Sequence, residues 1–354
     1  DLHGDIPYSE AGQGYTNGIL KPKYDAQKDI YMDFLKELEE AVAQIGASTT
    51  MGKSDLIFQG NTTKWKAWGN SMMLRLALRL HKADPGTSKA WAEKAAAAGV
   101  MTSNDHIAMI AHTDGPEGIN KNGHGEVFDA DGNPRMSKTF VDWLKDDPRL
   151  PILAARRSDG STKIADLIGM PNGSTGATVS DTSIYAEPNR NVITKRDVPM
   201  VLQTYAEVRF MLAEMAVRGW NVAGDAKTHY EAGVKAAMQM LSGIYPNAAA
   251  ISDAEVATYL AAKPYDASKG WEMISEQYWA ATLLNEYEAF SNWRRTGFPT
   301  LVPTNDPGNV TGGTIPRRLI YPTGEGSTNA ENYNAAIARQ GPNDFKTRVW
   351  WDKQ

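Results

Sequence analysis

Apolar residues recur at spacings of three and four along two long parts of the chain, which is the period of an amphipathic helix. In residues 24–45, for example, Ile30, Phe34, Leu38 and Ile45 fall on one side, with Asp, Lys and Glu between them. The same period predicts helices over residues 24–45, 63–82, 88–98, 137–146, 200–218, 226–241, 253–262 and 271–295. The pattern therefore indicates a mainly helical chain.

Turn-forming residues concentrate in residues 113–198 and again after residue 299. The central stretch contains Asp114-Gly115, Asn122-Gly123, Asp131-Gly132 and Asp159-Gly160, and the helix over residues 137–146 is the one long element that its pattern predicts. A loop-rich stretch of this length inside a compact chain is typical of a binding surface. We therefore expect it to carry the function rather than to serve as a linker.

A weak internal repeat connects two of the predicted helices. Ala226, Tyr230 and Gly233 have the spacing of small and aromatic residues with which the second helix of a tetratricopeptide unit packs on the first. Ala92, Ala96 and Gly99 repeat that spacing, and Gly99 stands where a helix C-terminus favours a left-handed residue. We interpret the helical parts as a few stacked helix pairs rather than as a regular solenoid.

Composition excludes several classes of function. The 354 residues carry 37 Lys and Arg against 42 Asp and Glu, a net charge of -5, so the chain lacks the positive field that nucleic acid or an anionic membrane requires. No apolar stretch approaches the roughly 18 residues of a membrane-spanning helix. The chain has no cysteine, which excludes disulfides, thiolate metal sites and cysteine nucleophiles but leaves the compartment open.

No motif for catalysis, a metal or a cofactor is present in the sequence. The six histidines lack the spacing of a zinc site, and no nucleophile elbow, phosphate loop or dinucleotide fingerprint occurs. Asp129, Asp131 and Asn133 alternate like the start of a calcium loop, but Pro134 stands where that loop needs glycine. We interpret these residues as a turn before a helix that Ser137 caps, and we expect no catalytic residue, metal or cofactor.

Acidic pairs and tryptophans receive structural interpretations. Glu286 with Glu288, or Asp146 with Asp147, point away from each other on a helix, so neither pair suits a glycosidase. Arg294-Arg295 complements the negative end of a helix dipole, although guanidinium groups also suit carboxylates. Four tryptophans lie on helix stripes, where core packing is the simpler interpretation: Trp65, Trp68, Trp279 and Trp293.

Taken in order, short motifs along the whole chain resemble one family. The motifs are Gly4-Asp5-Ile6-Pro7-Tyr8-Ser9-Glu10-Ala11, Tyr24-Asp25-Ala26-Gln27, Asn70-Ser71 with Leu74-Arg75-Leu76, Tyr205-Ala206-Glu207-Val208-Arg209-Phe210, Trp293-Arg294-Arg295-Thr296-Gly297-Phe298-Pro299, Ile315-Pro316-Arg317-Arg318-Leu319 with Tyr321-Pro322, Asn329 to Tyr333, and Trp350-Trp351-Asp352. Together they are similar to the SusD/RagB family, in its SusD-like branch associated with starch binding at the outer membrane.

This resemblance implies a fold, a function and partners. The fold is all-α, with tetratricopeptide-like helix pairs and a large loop-rich ligand-binding region, and we expect one domain over residues 1–354. Its expected parts are helical 24–112, loop-rich 113–198, helical 199–298 and a loop-rich tail 299–354.

The function that the resemblance implies is that of a surface lipoprotein of the outer membrane. It captures oligosaccharides and delivers them to a SusC-like TonB-dependent transporter, over which it closes like a lid. Family members carry a lipoprotein signal, a lipid-bearing cysteine and further helices before the first motif. None of these is present here, so we interpret the sequence as a fragment.

Saccharide chemistry suggests candidate site residues in the loops. Sugar rings present apolar C–H faces and adjacent hydroxyls, so a site needs flat aromatic rings beside amide, carboxylate or guanidinium groups. Loop residues of these types are Tyr15 and Asn17, followed by Tyr185, Asn189, Arg190 and Asn191. Two alternatives stay open: a helical-repeat module that binds peptides for a related importer, and, less favoured, a helical glycoside hydrolase.

Overall fold

A computed structural model describes residues 1–47, 51–115, 120–174 and 178–353 of the chain. Fourteen α-helices dominate this described part. They are α1 (Gly14–Asn17), α2 (Gln27–Gln44), α3 (Thr62–Arg79), α4 (Pro85–Ala98), α5 (Gly123–Ala130), α6 (Lys138–Trp143), α7 (Leu150–Leu153), α8 (Tyr205–Val217), α9 (Ala226–Ile244), α10 (Asp253–Ala262), α11 (Gly270–Ala281), α12 (Glu286–Thr296), α13 (Glu325–Thr328) and α14 (Ala330–Gln340). The expected all-α class is thereby confirmed.

Six short strands form three separate antiparallel pairs. β1 (Ile6–Pro7) pairs with β2 (Tyr24–Asp25), while β3 (Ala108–Ile110) pairs with β6 (Met200–Gln203) and β4 (Ala154–Arg156) with β5 (Ala186–Pro188). None of the helices in the described ranges combines the length and the apolar character that a membrane crossing needs.

The helix pattern of the sequence is confirmed in outline and corrected in two places. Residues 200–218 do not form one helix, because Met200–Gln203 is the strand β6 and Thr204 then caps α8. Residues 271–295 are two helices, α11 and α12, because Leu284 adopts a left-handed backbone with φ of 65° between them. Gly99 follows α4 with φ of 97° and ψ of 106°, so it has the positive φ that favours glycine but not the left-handed helical conformation that was expected.

Contacts divide the chain into two compact units. The first unit consists of residues Asp1–Ile45, Gly69–Gly99 and Glu286–Gln354, and the second of Gly46–Trp68 and Val100–Asn285. Each unit therefore has its own core. The expectation of one domain over residues 1–354 stays a prediction.

The first unit joins the beginning and the end of the chain. The side chain of Asp5 accepts a hydrogen bond from the backbone N–H of Gln27 at 2.8 Å, which satisfies a free donor at the start of α2. The other carboxylate oxygen accepts from Nε of Arg339 at 2.6 Å. Tyr24 and Tyr321 are buried together, with ring centroids 5.1 Å apart. Residues from opposite ends of the chain thus share one core.

The second unit is built around the helical hairpin of α8 and α9. Thr204 and Glu207 form a capping box at the start of α8, in which each side chain bonds the backbone N–H of the other residue. Gly233 on α9 lies against the ring of Phe210 on α8, and both Phe210 and Tyr230 are buried. The predicted spacing of Tyr230 and Gly233 therefore lies at a close helix–helix contact.

Candidate functional site

The first predicted site residues lie on an open turn of the first unit. Tyr15 belongs to the single-turn helix α1, and its side chain is 100% exposed. The side-chain amide of Asn17 donates to Oε1 of Gln13 at 2.8 Å, and Gly18 ends the turn in the left-handed conformation. The structure therefore presents the ring of Tyr15 fully to solvent, with an amide-bearing residue two positions away.

The second predicted aromatic, Tyr185, lies in the second unit beside an arginine. It directly precedes β5 and is half-buried. Its carbonyl oxygen accepts a hydrogen bond from the backbone N–H of Arg157 at 3.1 Å, which extends the pairing of β4 with β5. Backbone pairing thus fixes Tyr185 and Arg157 side by side.

The three predicted residues after β5 differ in their exposure. Asn189 is 4% exposed, and its Oδ1 accepts from the backbone N–H of Asn191 at 3.1 Å, which closes a turn. Arg190 donates to the carbonyl oxygens of Phe128 and Asp131. Asn191 is exposed, and its carbonyl oxygen accepts from the amide of Asn247 at 2.8 Å. Asn189 and Arg190 therefore bond within the protein, while Asn191 faces solvent.

A cluster of three guanidinium groups surrounds the buried carboxylate of Glu187. Arg190 approaches it at 3.1 Å, Arg157 at 3.3 Å and Arg135 at 4.0 Å. Burial lowers the pKa of Arg135; Glu187 opposes this shift, and the neighbouring arginines reinforce it. Of the three side chains, that of Arg157 is the most exposed, at 37%. Arg157, whose backbone pairs with that of Tyr185, therefore offers partly exposed guanidinium donors.

The tryptophans assigned to the core by the helix pattern are only partly covered. Trp65, Trp68, Trp279 and Trp293 are all half-buried, so the prediction of core positions for them is corrected. Trp65 and Trp68 pack on Phe58, Trp279 packs on Phe140, and the guanidinium of Arg317 lies over the ring of Trp293.

Trp279 meets a second half-buried tryptophan that the sequence interpretation overlooked, Trp143. Their ring centroids are 6.2 Å apart at 81°, and Nε1 of Trp143 donates to Oε2 of Glu276 at 3.1 Å. Burial raises the pKa of Glu276, and this hydrogen bond opposes the shift. The sequence offered one signal for Trp143: it lies within the helix predicted over residues 137–146, inside the loop-rich stretch.

Three of the acids considered from the sequence, Asp129, Asp147 and Glu288, form ion pairs with arginines. Asp147 is fully buried and receives Nε of Arg149 at 2.9 Å, and Glu288 pairs with Arg79 at 2.5 Å. Asp129 pairs with Arg196 at 2.6 Å. Ser137 caps α6 as predicted, since its hydroxyl oxygen accepts from the N–H of Phe140. Within the described ranges, no three His, Asp or Glu side chains are grouped as a metal site would require.

Comparisons with known proteins assign the family. The family model described as "Starch-binding associating with outer membrane" matches residues 1–322. A solved structure described as a chitin-binding protein is 36% identical, with a TM-score of 0.88, and the match covers 100% of this chain and 77% of that one. No sequence among the curated proteins matches.

Two further solved structures have the same fold. A chitin-binding SusD homolog from Flavobacterium johnsoniae is 27% identical with a TM-score of 0.81, and the match covers 100% of this chain and 77% of that chain. A SusD homolog from Bacteroides uniformis is 25% identical with a TM-score of 0.82, and the match covers 100% and 78%. The motifs, the helical architecture and these likenesses agree: the chain belongs to the SusD-like family of carbohydrate-binding proteins that associate with the outer membrane.

Proposed function

We propose that this protein captures oligosaccharides at the cell surface and passes them, chemically unchanged, to a SusC-like TonB-dependent transporter in the outer membrane. The observation that carries the proposal is the likeness, at 36% identity over the whole chain, to a protein described as chitin-binding. The family model, described by starch binding, supports the same ligand class. We infer that the first ligand to test is a chitin-type oligosaccharide.

The proposed contacts follow from sugar chemistry. The exposed ring of Tyr15 and the half-buried ring of Tyr185 provide flat apolar faces for stacking on pyranose C–H groups. Asn17, Asn191 and Arg157 carry amide or guanidinium donors for hydroxyl and acetamido oxygens. In this proposal Asn189 and Arg190 act indirectly, because their own hydrogen bonds hold the turn that presents Asn191.

Binding without cleavage agrees with the chemistry of the site. A glycoside hydrolase needs two carboxyl groups that face each other across the sugar at about 5–10 Å. Asp147 and Glu288, each a member of an acid pair considered from the sequence, form ion pairs with buried arginines instead. We therefore propose a capture protein and not an enzyme.

Calorimetric titration tests the proposed ligand class. Chito-oligosaccharides, malto-oligosaccharides and a mixture of short peptides are titrated into the purified chain. We expect binding of a saccharide series and none of the peptides. Peptide binding without saccharide binding would favour the related peptide importer, and release of reducing sugar from any polysaccharide would contradict a pure binding role.

Aromatic variants test the proposed site. Tyr185→Ala and Tyr15→Ala remove one stacking ring each, which we expect to weaken saccharide binding by about 1–3 kcal/mol for each ring, the scale known for base–aromatic stacking. Tyr287→Ala is the matched control, because Tyr287 is a 67% exposed tyrosine outside the proposed contacts. Equal affinities for all three variants and the parent chain would exclude each of these rings as a saccharide contact.

The partner and the location need a separate experiment. We propose that a lipid anchor holds the mature protein on the outer membrane, where it covers the transporter. Detergent extraction of the outer membrane from cells that express the full-length, tagged protein should recover a TonB-dependent transporter with it. Recovery of the protein alone, or from the soluble fraction, would contradict this part of the proposal.

A further inference from the structure

A pocket in the first unit lies apart from every residue proposed above. It lies between the start of α2 and the last residues of the chain, and its volume is about 440 Å³. Pockets for small ligands commonly measure about 300–1,000 Å³. This pocket is therefore large enough for a small saccharide but not for a folded partner.

Positive charge exceeds negative charge on the pocket wall. The two wall carboxylates, Asp5 and Asp352, are 3% and 0% exposed, so both are buried in the protein. Asp5 is bonded to Arg339 at 2.6 Å, and Asp352 to Arg348 at 2.8 Å. Each arginine of the wall thus has a carboxylate against it, although Asp352 also accepts a hydrogen bond from Arg317 outside the wall.

Two lysines supply the surplus of charge. Lys28 and Lys353 are exposed residues of the wall, and neither forms an ion pair with any acidic residue in the described ranges. Because their ammonium groups carry no carboxylate partner, the pocket presents two uncompensated positive charges. A ligand that carries a carboxylate would complement them.

A buried amide adds a second, independent observation. Gln27 belongs to the pocket wall and is 2% exposed, and neither its Nε2 nor its Oε1 has a hydrogen-bond partner in the described part of the chain. Buried polar groups are nearly always bonded, so this amide is a candidate for contact with a bound molecule. A sugar hydroxyl both donates and accepts, so two adjacent hydroxyls match the two ends of the amide.

An aromatic residue completes the wall. Trp350 is half-buried and lies beside Tyr31, with ring centroids 6.3 Å apart. We propose that the pocket is a second saccharide site that takes an acidic sugar. Its carboxylate pairs with Lys28 and Lys353, its adjacent hydroxyls bond the amide of Gln27, and its C–H face packs on Trp350.

This inference does not rest on the proposed function, because no residue is shared between the two sites. Loss of chitin-type binding in the Tyr185 variant leaves the acidic-sugar site in place. Loss of the lysines leaves the aromatic residues of the other site in place. The two proposals therefore fail separately.

The test compares a charged ligand with its neutral counterpart. A galacturonic acid disaccharide and the matching galactose disaccharide are titrated into the chain at low and at high salt. We expect the acid to bind about tenfold more tightly at low salt and to lose that advantage at high salt, because exposed ion pairs are screened. An acidic dipeptide is titrated as a third ligand, to test whether a carboxylate alone is enough for binding.

Exposed lysine variants keep the test independent of folding defects. The double variant Lys28→Gln with Lys353→Gln should abolish the preference for the acid, while Lys36→Gln with Lys89→Gln, two exposed lysines elsewhere in the first unit, should retain it. Gln27→Leu should weaken both disaccharides. Four results would each overturn the proposal. They are no binding, equal affinity for the acidic and neutral sugars, retention of the preference without the two wall lysines, and equally tight binding of the dipeptide.

Discussion

The contact between α8 and α9 leaves no space for a methyl group at Gly233. A Cβ atom built there would lie 2.5, 2.7 and 3.0 Å from three ring atoms of Phe210, which is 0% exposed. In Gly233→Ala, overpacking of this kind costs about 1–3 kcal/mol. The gain in helix propensity offsets about 1 kcal/mol of that cost. We therefore expect a net decrease in stability of roughly 0–2 kcal/mol.

A second glycine of the same helix isolates the packing effect. Gly243 lies near the end of α9, and a Cβ there would meet no atom within 4 Å. Gly243→Ala should therefore stabilise the chain by up to about 1 kcal/mol. Urea unfolding of both variants, followed by circular dichroism, should place Gly233→Ala about 1–3 kcal/mol below Gly243→Ala. Equal free energies of unfolding would refute the close contact with Phe210.

Three further predictions concern capping, a buried ion pair and pH. Thr204→Ala removes the hydroxyl that caps α8 and should lower the free energy of unfolding by about 1 kcal/mol in urea; an unchanged midpoint would contradict the capping box. Asp352→Ala removes the buried carboxylate that accepts a hydrogen bond from Nε of Arg317 at 2.8 Å, and it should lower the free energy of unfolding by about 3–5 kcal/mol in the same assay. A decrease below about 1 kcal/mol would contradict a stabilising role for this ion pair. Burial tends to raise the pKa of Asp55, but hydrogen bonds from Trp65 and from nearby backbone N–H groups outweigh it and lower the pKa below its ordinary 3.8. The stability that ionised Asp55 contributes is therefore present above about pH 4 and is lost as the pH falls through the lowered pKa. Below about pH 4, the free energy of unfolding should fall less steeply with decreasing pH for Asp55→Asn than for the parent chain.

The long helices could be predicted from the sequence because their apolar period is a local property. The strand β6 could not, since it exists through pairing with β3, a distant segment of the chain, and so short a strand carries too little periodicity. The break between α11 and α12 was also hidden. Leu283 and Leu284 continue the apolar pattern, but the positive φ of Leu284 interrupts the helix there.

The candidate site was predictable by residue type but not by exposure. The turn-rich sequence around Tyr15 and Tyr185 predicts loop positions for both, and the structure exposes Tyr15 fully and Tyr185 in part. Asn189 has the same side-chain amide as Asn17 and Asn191, but it is buried. Its amide oxygen closes a turn that no local sequence pattern reveals. The pairing of Trp143 with Trp279 joins residues far apart in the sequence, so only the fold brings them together.

The division of the first unit into three chain segments sets the order in which a ribosome can complete the molecule. All residues of the second unit have been synthesised once residue 285 is made, whereas the first unit still lacks residues 286–354. At about 5–20 residues per second, those last residues take roughly 3–14 s to add. During that interval Tyr31 of α2 and Arg79 of α3 still lack two of their partners, Trp350 and Glu288, which belong to the last segment. The core of the first unit is therefore completed last, when the second unit already has all of its residues.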